Sequence, residues 1–171
     1  MEYKISIITI AVAGVLIVGG VVYLDTNTEK NISAGVTAIQ QPTSDDVYAI
    51  VYKSPTCGCC EGHAQAMREA DITVEVIEMQ QADLLSLKQD YGISPDMMSC
   101  HTTILSHDDR KYVVEGHVPI EGIHKLLDER PDISGIFLPG MPIGTPGMPG
   151  LKTGPYTVMT LEEEPKLFVS L

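Results

Sequence analysis

Three cysteines fall within four residues, Cys57-Gly58-Cys59-Cys60, and the fourth, Cys100, is followed directly by His101. Thiols at that density do two things well: they exchange disulfides or they bind a soft metal ion. A helix beginning at this cluster would aim unpaired N–H groups at the sulfurs and favour thiolate over thiol, which serves both chemistries. An exchange enzyme needs an open sulfur for its partner's disulfide to reach, so further soft donors around that sulfur serve coordination better. Two plainer readings compete. Cys57 and Cys60 can close a structural disulfide in an oxidising compartment, leaving Cys59 and Cys100 over as a second pair. Zinc can take four thiolates, but structural zinc sites usually draw on two separated Cys-x-x-Cys knuckles, and this chain has one.

Other donors are unequal. His117 lies in Glu115-Gly116-His117-Val118-Pro119, at the end of a predicted strand, where a side chain can reach an edge site. His63 follows Cys59 by four residues and Cys60 by three, which is one helical face. For each of these two, an ordinary hydrogen-bonded or exposed histidine stands level with a ligand. His107 and His124 read as surface turn and helix positions. Met67 and Met79 read as core filler, while Met97 and Met98, close to Cys100, stay ambiguous. Met141 and Met148 differ, because rigid Pro/Gly backbone holds each thioether in a loop. Thioether, thiolate and imidazole together describe a Cu(I) site, whereas Ca²⁺ and Mg²⁺ want oxygen.

These residues need elements to hold them. The β-branched and aromatic stretch 47–52 predicts a strand. Apolar spacing predicts a helix over 61–70, a strand over 72–77 and a helix from Asp83 that Gly92 and Pro95 end. Strands over 102–105 and 111–115 flank the polar turn His107-Asp108-Asp109, and Pro119 opens a helix that Pro131 closes. That order is β-α-β-α-β-β-α, and a Cys-x-x-Cys at the first helix makes it a thioredoxin-like α/β arrangement. Thioredoxins place a cis-proline just before the third strand, facing the cysteines. Here that segment is Ser99-Cys100-His101-Thr102, so a thiolate and an imidazole are expected to face the first cluster. Between Pro131 and Pro165 stand seven of the 11 prolines and six of the 15 glycines, a density read as excluding any helix or central strand. A shaped loop over the domain is expected there, followed by edge strands or a closing hairpin over 156–161 and 167–171.

The chain has 171 residues, enough for one domain with a hydrophobic core. Its formal charge of −12, with no Trp and two Phe, leaves no basic surface and little aromatic stacking area, which excludes nucleic-acid binding. Residues 5–24 carry no charge, and as a helix of about 30 Å they match a hydrocarbon core. Residues 1–24 are therefore expected to be a membrane anchor, with a cleaved signal as the alternative. Either version exports the remainder of the chain, a polar tether over 25–45 and a working domain over 46–171, to the outside of the cytoplasm.

Four motifs in order carry a family resemblance: Tyr-Lys-Ser-Pro-Thr-Cys-Gly-Cys-Cys (52–60), Ser-Cys-His-Thr (99–102), Val-Glu-Gly-His-Val-Pro (114–119) and Pro-Gly-Met-Pro-Ile-Gly-Thr-Pro-Gly-Met (139–148). Over about 47–156 the chain resembles the CopG-type copper-resistance proteins, small exported thioredoxin-like proteins once classed as a domain of unknown function. The resemblance implies Cu(I) binding for copper resistance, by one ion or by several bridged by thiolates, with transfer to an exporter or oxidase or redox conversion of bound copper. The family's motif residues carry over to Cys57, Cys59, Cys60, Cys100, His101, His117, Met141 and Met148 as the metal set. His63 stands where the family commonly has Trp, which either adds a ligand or exposes the site. The alternative from another class is a thiol–disulfide oxidoreductase with Cys57 as nucleophile and Cys60 resolving.

Overall fold

A computed structural model describes residues 46–171. The expected membrane span 1–24 and tether 25–45 lie outside the described residues, among which no helix is long and apolar enough to cross a membrane. The elements are β1 (Tyr48–Lys53), α1 (Gly58–Glu69), β2 (Thr73–Glu78), α2 (Gln81–Asp90), β3 (His101–His107), β4 (Arg110–Glu115) and α3 (Ile120–Glu129), followed by β5 (Gly135–Phe137), β6 (Thr157–Thr160) and β7 (Leu167–Ser170). The described strands form one mixed sheet in the order β2-β1-β3-β4-β5-β6-β7.

Alternation along the strands divides the core between two faces. Ala49 and Val51 of β1, Leu105 of β3 and Val114 of β4 share one buried cluster with Ala64 and Met67 of α1 and Ile123, Leu126 and Leu127 of α3. Ile104 and Val113, their neighbours in sequence, belong to a second cluster on the opposite face with Ile93, Met97 and Phe137. Met97 is thus a core residue, and Met98 packs against the same cluster. The residues of β3 therefore take turns, His101 reaching α1 and Thr102 reaching α2.

Strand directions decide where the chemistry gathers. β1 and β2 run parallel through the α1 crossover, while β3 runs antiparallel to β1 with Lys53 opposite His101. β4 is antiparallel to β3, with Glu115 opposite Thr102. The end of β1, the start of β3 and the end of β4 consequently lie side by side at one edge of the sheet. Cys57 leaves the first of these, Cys100 enters the second and His117 leaves the third.

One expectation fails. β5 is a central strand inside the Pro/Gly-rich region, parallel to β4 and antiparallel to β6. Proline density averaged over that region hides the proline-free stretch between Pro131 and Pro139, which is long enough for a short strand. Gly135 is what lets it fit, because a Cβ there would run into the backbone of Val113 on β4. β6 and β7 form the expected antiparallel pair.

Candidate metal centre

The first cysteines owe their positions to a tight connection after β1. The N–H of Cys57 donates to the carbonyl of Ser54 at 3.1 Å, and Cys57 then serves as N-cap of α1 with no capping bond from its side chain. The helix starts at Gly58, three residues earlier than the apolar spacing implies, so Cys59 and Cys60 occupy its first turn. Cys57 and Cys60 are joined as a disulfide, with Cα atoms 5.4 Å apart, and Cys59 and Cys100 are free thiols. The Cys59 sulfur lies 3.5 Å from that of Cys57.

Cys100 crosses to face them. The sulfurs of Cys57, Cys59, Cys60 and Cys100 all lie within 4.8 Å of one another, and a second group under the same limit comprises Cys60, Cys100, His101 and His117. Cys60 and Cys100 belong to both. Burial first, then the neighbouring Cys59 sulfur, push the Cys100 thiol up to about 11. Cys100 is therefore protonated at neutral pH, and coordination there must release a proton.

Behind the sulfurs stand three fully buried imidazoles, His63, His101 and His117, with ring centroids 4.8 to 5.4 Å apart. Two backbone carbonyls orient them. A carbonyl only accepts, so Nε2–H of His63 donates to Val118 O at 2.8 Å and Nδ1–H of His117 donates to Pro146 O at 2.9 Å. The free lone pair of His117, on Nε2, points at Cys100 Sγ 3.0 Å away. His101 places Nδ1 at 3.6 Å from the same sulfur and Nε2 at 2.9 Å from His63 Nδ1. Sequence spacing puts His63 on the cysteine face of α1, and the structure adds that both its nitrogens are engaged by Val118 and His101.

Burial holds all three rings neutral. It pushes His63 down to about 4 and lowers His117, and it takes His101 well below the ordinary histidine value with help from the neighbouring histidines and Lys88. Because the folded-state values lie below the unfolded value of about 6.5, the unfolded chain takes up protons first as pH falls. The stability these rings contribute is complete above about pH 6.5 and declines from there toward pH 4. Urea unfolding of the oxidised, metal-free protein is expected to give about 2 kcal/mol less stability at pH 5 than at pH 7 from His63 alone. An unchanged midpoint would contradict neutral burial of these rings.

The segment carrying Cys100 is anchored from the opposite face. Lys88 of α2, 2 % exposed, donates to Glu115 Oε1 at 2.6 Å and to Thr102 Oγ1 at 2.9 Å. Glu115, fully buried, also accepts the backbone N–H of Ser99 at 2.5 Å and the Thr102 hydroxyl at 2.6 Å. Lys88 does not stand out in the sequence, and Glu115 does so only as part of the Val-Glu-Gly-His-Val-Pro motif. A lysine four residues after Leu84 on one helical face is the available signal.

The Pro/Gly loop closes over the same edge. The Ser99 hydroxyl donates to Gly140 O at 3.2 Å, beside Met141, and the Pro146 carbonyl holds His117. Gly147, next to Met148, lies backbone against backbone on Gly62, whose added Cβ would come within 2.7 Å of the Gly147 Cα. Met141 is 52 % exposed and Met148 half-buried, so neither thioether is packed into the buried interior where the imidazoles stand. Gly147 has φ +82°, and a Cβ there would come within 2.6 Å of His63 N and collide with the Cys59 carbonyl. Gly147→Ala is accordingly expected to cost at least about 2 kcal/mol and lower the melting temperature by about 5–10 °C in a calorimetric scan.

Comparison with known proteins bears on what this centre holds. Residues 97–148 match the model of a family described as protein of unknown function, DUF411. Two solved structures resemble the chain. One, copper resistance protein CopG in form 2, is 31 % identical, with a TM-score of 0.64, over 74 % of this chain and 99 % of that one. The other, CopG in form 1, is 29 % identical, with a TM-score of 0.65, over 74 % and 98 %. No curated protein matches.

Proposed function

Since this chain belongs to the CopG copper-resistance family, we propose that it binds Cu(I) through its cysteine cluster to limit copper toxicity outside the cytoplasm. The observation that carries this reading is the overlap of the two donor groups at Cys60 and Cys100. Thiolates shared in this way can bridge two or more soft ions, and no carboxylate belongs to either group. Glu61, next to Cys60, pairs with Arg68, and Glu115, two residues before His117, is engaged by Lys88, Thr102 and Ser99. Cys57, Cys59, Cys60 and Cys100 supply thiolates, while Nδ1 of His101 and Nε2 of His117 supply imidazole lone pairs. The loop that carries Met141 and Met148 would shield the bound ions from water.

The strand and helix order β-α-β-α-β-β-α supports a thioredoxin-like origin for the domain, and the uncharged run 5–24 supports a membrane anchor over 1–24, joined to it by a tether over 25–45. Copper would pass from here to an exporter or oxidase. Loading begins with reduction of the Cys57–Cys60 disulfide, which takes two electrons and two protons from an external dithiol and yields two thiols. Cu(I) then displaces the thiol protons.

That same disulfide favours a second reading, a thiol–disulfide oxidoreductase in which Cys57, once reduced, is the nucleophile and Cys60 resolves. Cys59→Ser separates the two, because it leaves the exchanging pair intact. In anaerobic Cu(I) titration of the reduced protein, the copper reading expects the bound stoichiometry to collapse. A serine variant that binds copper as the wild type does, while still reducing insulin disulfides, would sink it in favour of exchange.

A further inference from the structure

The hydrogen-bond chain behind Cys100 has a direction, and the residue that transmits it is His63. We propose that His63 is a positioning residue which selects the ring nitrogen that His101 presents to copper. The inference rests on the copper-binding reading above for its consequence, but the selection itself belongs to the metal-free protein.

The direction starts at a group that cannot reverse. The Val118 carbonyl, just before α3, accepts from His63 Nε2 at 2.8 Å. In a neutral ring this leaves Nδ1 of His63 as an acceptor, so the bond of 2.9 Å to His101 must carry its hydrogen on His101 Nε2. His101 Nδ1 is then unprotonated and faces Cys100 Sγ. The opposite tautomer would set two lone pairs against each other across 2.9 Å and place N–H, useless to a cation, on the sulfur side. Leaving such a buried pair unsatisfied biases the tautomer by roughly tenfold to a hundredfold.

His117 does not depend on this relay, because the Pro146 carbonyl fixes it directly. His101 makes its ring hydrogen bonds with His63 on one side and Cys100 on the other. With both nitrogens engaged, His63 is not itself a ligand. It does for His101 what an oriented carboxylate or carbonyl does for many metal-bound histidines, fixing tautomer and ring orientation from behind.

Two substitutions separate positioning from mere filling of space. His63→Leu fills much of the volume but offers no acceptor. His63→Gln can present its carbonyl oxygen to His101 and its amide N–H to Val118, keeping the polarity. Long-range ¹H–¹⁵N spectra of the histidine rings in the reduced, metal-free full chain should show the Nε2–H form of His101 in the wild type and in His63→Gln. In His63→Leu they should show a mixed or reversed form. Cu(I) affinity, measured anaerobically against a chromophoric chelator, should fall about 10–100-fold in His63→Leu and stay within about threefold of wild type in His63→Gln.

A folded leucine variant with the wild-type tautomer and affinity overturns the proposal, as does a glutamine variant that loses both. Should the leucine variant not fold, His63→Gln decides alone: the retained Nε2–H form supports the relay and its loss overturns it. If the wild type takes up no Cu(I), the copper-binding reading fails, and the ring spectra still judge the relay independently.

Discussion

Cys100→Ala is expected to abolish high-affinity Cu(I) binding, with a larger loss than any other single cysteine change outside the disulfide. Cys100, just before β3, belongs to both donor groups, and its thiol donates to His117 Nε2 at 3.0 Å. Removing it leaves Cys60 as the one sulfur shared by the two groups and takes away the thiol in contact with both His101 and His117. A four-ligand thiolate and imidazole site holds a metal with roughly 10–16 kcal/mol, so one ligand is worth about 3 kcal/mol, or a little over a hundredfold in affinity. A ligand shared by two ions is lost to both, so each should bind at least about a hundredfold more weakly. Chelator competition on the reduced protein measures this directly. Affinity within about tenfold of wild type would remove Cys100 from the centre.

The second large effect concerns stability. Lys88→Met should destabilise the domain by about 3–5 kcal/mol, because it leaves the fully buried Glu115 carboxylate without its cation. Glu115→Leu should cost a similar amount, stranding the Lys88 ammonium together with the N–H of Ser99. The double variant should recover much of the loss, since a buried ion pair replaced by apolar groups is often neutral. Its copper affinity should nevertheless stay low, because Ser99 and hence Cys100 lose their anchor. Urea unfolding of the four proteins in a double-mutant cycle gives the coupling energy. Independent, additive losses would mean that the pair does not act as a unit.

The first seven elements are legible in the sequence because apolar residues repeat at strand or helix periods in most of them, and because Gly92, Pro119 and Pro131 mark helix ends. Such an end is what betrays α2, whose leucines crowd at Leu84, Leu85 and Leu87. The start of α1 lies three residues ahead of its apolar pattern, since Gly58, Cys59 and Cys60 carry no helical periodicity and the N-cap Cys57 forms no capping bond. β5 escapes detection because its three residues are too few to alternate and sit between prolines. In the centre, residue chemistry names the four cysteines, His101 and His117, and the order of the strands carries Cys100 to the right edge. What sequence leaves open is connectivity. Nothing local distinguishes a histidine whose nitrogens are both occupied from one with a lone pair to spare, so on sequence His63 stands level between ligand and bystander. Lys88 and Glu115 are 27 residues apart, and their pairing exists only once α2 lies across the sheet.

The pairing of Lys53 with His101 gives the protein a built-in check on its own folding. Shifting β3 by a single residue against β1 would invert every side chain on it, turning the imidazole toward α2 and the Thr102 hydroxyl toward the sulfurs. Collapse alone, or secondary structure alone, cannot assemble the donor set; only the native alignment of strands far apart in the chain can. A chain misaligned at this edge would therefore lack the donor set even when it is compact.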